Sequence, residues 1–539
     1  MRMFLGLMAV IISLSLHLPA HALDLNTTRQ QAWLLAEALE IGADGDWPGA
    51  EAKVAGSDAV LRDIVLWRKL RAGQGGYDEY RSYIARRPLW PGQTQLAKVM
   101  GEGSFSAGAP SLGGLAAENY AEFRRLYNGK RYDEAAVWLD SVTSEFEQLG
   151  APSRWADRRR RLARRAARQG QGELAYRLAS KHFLSASDGY SYSDLEWLSG
   201  WVALRQLQDP GRAAGHFERF AASVETPISL GRAGYWTGRA YEALGDQTRA
   251  RAWYVKGAEH QTSFYGQLAA TKIGAGGDPR LARGGSEGWQ RDPVLDSDDV
   301  RMAALLHYAG QEILSFAAFE AIAKSMSDAR ALESLGTLAL ALDRPHYAVR
   351  VAKAAARKGI VIHPVYYPIH DLAGYATKVE PAFAMSIARQ ETELNPRAIS
   401  PAGARGLMQL MPATAKKVAG WIGEEYSRGR LIEDWQYNAR LGQTYLARRT
   451  QEFGGSYVMA AAAYNAGAGR VDQWLDAYGD PRLPGRSVED MIDWMEDIPF
   501  RETRNYVQRV MEGLYVYRAR LTGNAGAMTI ERDLARGVR

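Results

Sequence analysis

The residues most able to do chemistry lie in the stretch that runs from Pro381, PAFAMSIARQETELNP. Pro381 suits the first turn of a helix, where its missing N–H leaves no hydrogen bond unmade. Phe383, Ile387 and Glu391 then fall at i, i+4 and i+8, which places them on one helix face. Glu391 therefore continues an apolar stripe. A carboxyl group at the end of a buried face loses hydration, and its pKa rises. That is the condition for a carboxylic acid that still holds its proton near neutral pH and can give it to a leaving group. Pro396 disfavours helix at Asn395, so the helix is expected to end about one turn after Glu391, with the carboxyl facing an opening. The same pattern also describes a salt-bridged structural glutamate. A turn-rich stretch, Ser400 to Gly406, follows, and then Leu407 to Met411. The short run between turns is expected as a small β-hairpin beside the helix, and Pro412 as the start of a new helix through Ala419. Glycosidases commonly flank the scissile bond with two carboxylates. Glu393, two residues from Glu391, points to another face of the helix.

The run ARQETELNPRAISPAGARGLMQLMPATA resembles the signature of the soluble lytic transglycosylases, which are related to goose-type lysozyme. Two later blocks resemble the same family: AAAAYNAGAGRVDQWL, from Ala460 to Leu475, and EDIPFRETRNYVQRV, from Glu496 to Val510. Three ordered blocks over about 120 residues are far more specific than one short motif. The resemblance is strong from about residue 365 to 520. It is looser upstream, where Ser263 to Ala269 adds support.

The resemblance implies a lysozyme-like α+β catalytic domain behind an N-terminal α-superhelical domain. It makes Glu391 the catalytic residue and puts Ser400 near the cleavage site. Gln409 and Met411 match residues lining the cleft. Tyr464 and Asn465 match a block whose tyrosine sits close to the catalytic glutamate, and Glu502 matches a glutamate lining the substrate groove. Thr392 stands where serine is usual, and Trp435 follows Asp434 where proline is common. The implied reaction uses one carboxylate. Glu391 gives its proton to the oxygen between N-acetylmuramic acid and N-acetylglucosamine, then takes one from the C6 hydroxyl as that oxygen closes onto C1. Peptidoglycan glycan strands are the expected partner, 1,6-anhydromuramoyl ends the product. Tyr464 and Gln409 are expected to orient the sugar and the glutamate. Two other readings stay open: a hydrolytic lysozyme on the same fold, and a helical-repeat protein that binds peptidoglycan without cutting it. Nothing calls for a cofactor or a metal, since H-E-x-x-H, P-loop and Rossmann patterns are all missing from the sequence.

The elements that must carry these residues read as mainly α. To about residue 360 the chain is rich in Ala, Leu, Arg and Glu, with apolar spacing of i, i+3, i+4. Gly238, Tyr241, Gly245, Ala250 and Tyr254 share their spacing with Gly336, Ala339, Asp343, Ala348 and Ala352. This is a degenerate form of the tetratricopeptide pattern, whose helical hairpins stack into a solenoid. The run Arg158 to Arg161, with Arg164, Arg165 and Arg168, is read as a solvated helix, or else as a contact surface for an anionic polymer. The expected division is a signal peptide over 1–22, a U-shaped α-superhelical domain over 23–275 and an exposed Gly-rich linker over 276–293. A helical linker domain over 294–364, the catalytic domain over 365–525 and a tail over 526–539 complete it.

Composition fits this scheme. Of 539 residues, 46% are hydrophobic and 24% charged, as in folded globular proteins. The apolar run from Phe4 to Leu16, followed by Ala20-His21-Ala22, reads as a secretory signal cleaved after Ala22. Periplasmic export is expected, with no transmembrane segment left after cleavage. The chain has no cysteine, which rules out disulfides, thiol nucleophiles and an N-terminal lipid-bearing Cys. Its net charge of +6 favours polyanions. For an exported chain, an anionic wall polymer or peptides with free carboxylates suit better than nucleic acid. Protein partners are not legible.

Overall fold

The computed structural model describes residues 23–100, 114–143 and 149–537. The expected signal segment, 1–22, lies outside the described residues. The fold is mainly α, and no described helix is long and apolar enough to cross a membrane. The described residues form two compact units, one drawn from within Met1–Ser104 and Ser286–Leu335, the other from within Phe105–Gly285 and Gly336–Arg539.

In the first unit, Leu25–Ala43 and Ala59–Arg71 are packed by Leu35, Leu39, Leu61 and Ile64, all buried. Asp24 and Asp58 cap these helices, accepting backbone N–H groups that would otherwise lack partners. Asp298–Tyr308 and Glu312–Ser325 belong to the same unit. The residues expected as a separate domain over 294–364 are thus divided between the units after Leu335.

The second unit opens with helical hairpins. Pro227–Ala243 and Gln247–Ala258 are capped by Thr226 and Asp246. They approach so closely that a Cβ at Gly238 would meet the Tyr254 ring at 2.5 Å. That contact is the small-residue and aromatic spacing seen in the sequence. Gly245, in the left-handed region at φ +77°, makes the turn between them. From Gly336 of Ala329–Ala341 into Pro345–Ala356 the same steps recur around Asp343, which takes φ +56°.

The Gly-rich stretch expected as an exposed linker is anchored at its start. Gly277 N–H donates to Gly526 O at 2.9 Å, and Leu281 is fully buried. The expected tail also contains structure. Ile530–Leu534 is a short helix whose Asp533, 1% exposed, pairs with Arg518.

Two helices hold the site, Pro381–Thr392 and Arg501–Thr522. Ser386 Oγ donates to Val510 O at 2.6 Å, and a Cβ at Gly513 would collide with Ser386. Five residues along the first helix, Glu391 meets Tyr506 on the second. One residue number rises as the other falls, so the pair is antiparallel. The small residues at their crossing bring the backbones close enough for side chains further along to touch.

Candidate active site

Glu391 lies in the last turn of Pro381–Thr392. The stripe beneath it is as expected: Phe383 and Ile387 are fully buried, and the Phe383 ring stacks on Tyr457 with centroids 4.2 Å apart. The helix stops sooner than the proline alone implied. Glu393 and Leu394 both take left-handed φ, +56° and +71°, which reverses the chain one residue past Thr392. Glu391 is therefore at the tip of its helix. Tyr506 Oη donates to Glu391 Oε1 at 2.7 Å. Burial pushes the Glu391 carboxyl up to about 7; the Tyr506 hydrogen bond pulls it back, and the charge of Glu502 adds to the rise. Near neutrality a good part of this group therefore keeps its proton.

The segment after the helix is a set of turns rather than a β-hairpin. Only isolated bridges form, Ile399 with Arg405 and Arg405 with Leu410. Too few residues lie between successive reversals for a ladder to extend. Ser400 Oγ accepts from Ala404 N–H at 3.0 Å, closing the first turn. Gln409 takes φ +49°, and its side-chain N–H donates to Ala398 O and Gly406 O, so its amide nitrogen ties the turns together. Asn438, fully buried, stitches the same loop: its side chain accepts from Met408 N–H and donates to Arg405 O and Leu431 O. Thr392 keeps the hydroxyl that serine would supply, donating to Leu407 O at 2.8 Å. Trp435 begins the helix Trp435–Glu452 behind an Asp434 cap, in the first-turn position where proline fits equally.

Tyr464 Oη donates to Met408 O at 2.8 Å, and its ring meets Tyr445 edge-on. Burial, then the Glu391 charge, raises the Tyr464 hydroxyl well above its usual range, so the two groups share one environment. Asn465 Oδ1 accepts from Thr503 Oγ1 at 2.7 Å, joining Tyr457–Ala466 to the helix that bears Glu502 and Tyr506. Met411, 43% exposed, is not packed in the core, and Glu502 is also exposed. The hydroxyl bonded to Glu391 is that of Tyr506, which the motif-by-motif reading did not single out. The signal was present: Tyr506 lies one helical turn past Glu502, within the block EDIPFRETRNYVQRV.

The arginine-rich helix, Ala156–Arg168, departs from the reading of a solvated face. Arg159, Arg160 and Arg164 are buried. Arg159 donates to Leu178 O and Thr143 Oγ1, and Arg164 reaches Glu496, which is fully buried. Arg232, Tyr265 and Gln508 also donate to Glu496. Burial pushes the Glu496 carboxyl up, but Arg232, Arg164 and Arg504 outweigh it and hold the group at about 2. Arg164 is answered by this remote acid and Arg160 by Asp194, partners that a periodicity cannot reveal.

Beside this cluster is a cavity of about 410 Å³. Eight cationic side chains line it, against the two acids Asp194 and Glu512. Gln390 and Asn505, the chain neighbours of Glu391 and Tyr506, lie in its wall. Arg389 Nη2, also in the wall, is buried without a hydrogen-bond partner. Burial and the neighbouring Arg164 pull Arg504 down to about 9, with Glu496 acting against the fall.

Residues 370–482 match the family model described as the transglycosylase SLT domain, and residues 497–525 match the soluble lytic transglycosylase helical domain. The soluble lytic murein transglycosylase of Salmonella typhimurium is 42% identical over 142 residues, 26% of this chain and 21% of that protein. Its Escherichia coli counterpart is 40% identical over the same length and shares. The match thus spans about a fifth of these relatives' own length. The crystal structure of the 70 kDa soluble lytic transglycosylase from Escherichia coli superposes with a TM-score of 0.55 at 18% identity, covering 96% of this chain and 100% of that one. An inactive mutant of the lytic transglycosylase Slt from Pseudomonas aeruginosa gives 0.55 at 22% identity, over 93% and 83%. The chain therefore carries a transglycosylase SLT domain over residues 370–482, within a fold similar to that of the soluble lytic transglycosylases.

Proposed function

We propose that this protein is a periplasmic lytic transglycosylase, exported by its N-terminal signal. It cleaves the β-1,4 bond between N-acetylmuramic acid and N-acetylglucosamine in peptidoglycan without consuming water. The observation that carries this reading is the state of Glu391, an acid raised to about 7 at a helix tip and held by Tyr506. Glu391 gives its proton to the glycosidic oxygen as the bond from that oxygen to C1 breaks. Positive charge grows at C1, where the substrate's own N-acetyl group stabilises it. The Glu391 carboxylate, steadied by the Tyr506 hydroxyl, then takes the proton of the C6 hydroxyl while O6 bonds to C1. The acid is regenerated and a 1,6-anhydromuramoyl end is left, so one residue acts as acid and then as base.

Glu502 acts on Glu391 through its charge, which favours the protonated form. That supports a role in setting the acid rather than in activating water. Ser400, Gln409, Met411, Tyr464 and Asn465 belong to the same loop-and-helix surround and are proposed as substrate-contacting or supporting residues. The cationic cavity suits carboxylates on the peptides that branch from the glycan, since desolvated guanidinium groups in excess gain most from an anion.

Mass spectrometry of muropeptides released from purified cell wall tests this reading. Anhydro products, one water lighter than hydrolytic ones, are expected from the wild type and none from Glu391→Gln. Hydrated ends would identify a lysozyme. Binding without release would make the chain a peptidoglycan-binding protein, and an active Gln variant would falsify the role of Glu391.

A further inference from the structure

The two residues that end the helix of Glu391 are in an unusual state. Glu393 and Leu394 both take left-handed φ, and neither is glycine. L side chains adopt that region reluctantly, and a helix C-terminus usually leaves it to glycine. Such a reversal persists where its surroundings hold it in place.

The holders are visible. Leu394 is fully buried. The Glu393 carboxylate, largely buried, is clamped by Arg350 Nε at 2.7 Å and Lys353 Nζ at 2.6 Å, both from Pro345–Ala356. Burial lowers the Lys353 ammonium, with the Glu393 charge acting against that fall. The proposed reaction gives this cluster no task. Yet Glu391 is two residues upstream, in the turn of a helix most prone to fray, where intrahelical hydrogen bonds run out.

We infer that Glu393 is a positioning residue: its ion pairs with Arg350 and Lys353 fix the left-handed reversal, which keeps Glu391 against Tyr506 and away from water. The inference rests on the reading of Glu391 as the acid. Around Glu391 stand Tyr506 and Glu502 from Arg501–Thr522 and Tyr464 from Tyr457–Ala466. Around Glu393 stand Arg350 and Lys353, with Arg389 acting on Lys353 from the helix of Glu391 itself. When the clamp is removed, the reversal loosens, the last turn frays and Glu391 gains water. Its pKa then falls toward the ordinary carboxylic range.

The test is the pH dependence of kcat/KM and of KM for the full chain on glycan strands, between about pH 5 and 9. Glu393→Gln and Arg350→Met are compared with the wild type and with Glu391→Gln. The basic limb of both clamp variants is expected to move down by about one pH unit, with roughly a tenfold loss above the limb. KM and the rate on the acid side should stay near wild type. A merely structural residue would scale the rate equally at every pH. An unmoved limb in both variants, or a uniform loss, overturns the positioning role. Activity in Glu391→Gln overturns the acid and the positioning role together, whereas an inactive Glu391→Gln with unmoved limbs overturns the positioning role alone.

Discussion

Replacing Tyr506 by Phe deletes one hydroxyl from a buried slot that the ring still fills, so it isolates the 2.7 Å hydrogen bond to Glu391. The bond is donated to a carboxylate, and a hydrogen bond to a charged group contributes about 1.5–3 kcal/mol. It favours the ionised form, so its loss raises the Glu391 pKa. At 1.36 kcal/mol per unit, the rise is about one to two units above the present value of about 7. The basic limb of the kcat/KM profile, where the acid loses its proton, should therefore move up by that amount. This is opposite to the shift expected on releasing Glu393. The rate below the limb should fall about tenfold, because an unpinned carboxyl spends less time aligned on the glycosidic oxygen. Chromatographic quantification of anhydro-muropeptides across pH reads both effects. A limb that stays in place or moves down would refute the claim that Tyr506 stabilises the Glu391 carboxylate.

Three further outcomes follow from the same geometry. Glu391→Gln should stabilise the fold at pH 8 by about 3 kcal/mol, because a carboxyl raised from 4.5 to about 7 resists ionisation in the folded state. That penalty is absent below pH 4.5 and grows as pH rises to 7, so melting curves of variant and wild type should converge in acid; identical curves at pH 8 would count against desolvation of Glu391. Gly406→Ala should cost more than about 2 kcal/mol in urea unfolding, since Gly406 takes φ +76° and a Cβ would strike Leu431 O and the Asn438 amide; a tolerated alanine would contradict the packing of that turn. Glu496→Gln leaves Arg164, Arg232 and Arg504 without their shared anion and should cost about 3–5 kcal/mol, with wild-type stability as the refuting result.

Local rules carried the reading of the sequence a long way. The stripe Phe383, Ile387, Glu391 stated that a carboxyl would sit at the end of a buried face, and the face is buried. Proline at position 381 marked the helix start, and small residues at Gly238 marked a close crossing of helices. Each is a statement about residues within a few turns of one another, where backbone stereochemistry and periodicity decide. The same rules misjudged the arginine-rich helix, whose buried Arg164 is paired with Glu496, more than 300 positions away. They also expected a hairpin where the reversals at Ser400 to Gln409 come too close together for strands to pair.

What was legible from spacing alone is a carboxyl at the end of a buried helix face and the helical character of the chain, because those depend on one backbone; the reading of Glu391 as the acid came from the resemblance of the three motif blocks. Only tertiary packing chose Tyr506 as the hydroxyl that holds Glu391, through the antiparallel crossing at Ser386 and Gly513. Packing also put Arg350 and Lys353 on Glu393 and gathered Arg164, Arg232 and Arg504 around Glu496. Those partners are remote in sequence, and a pattern read along the chain does not specify which distant side chains will share a low-dielectric space.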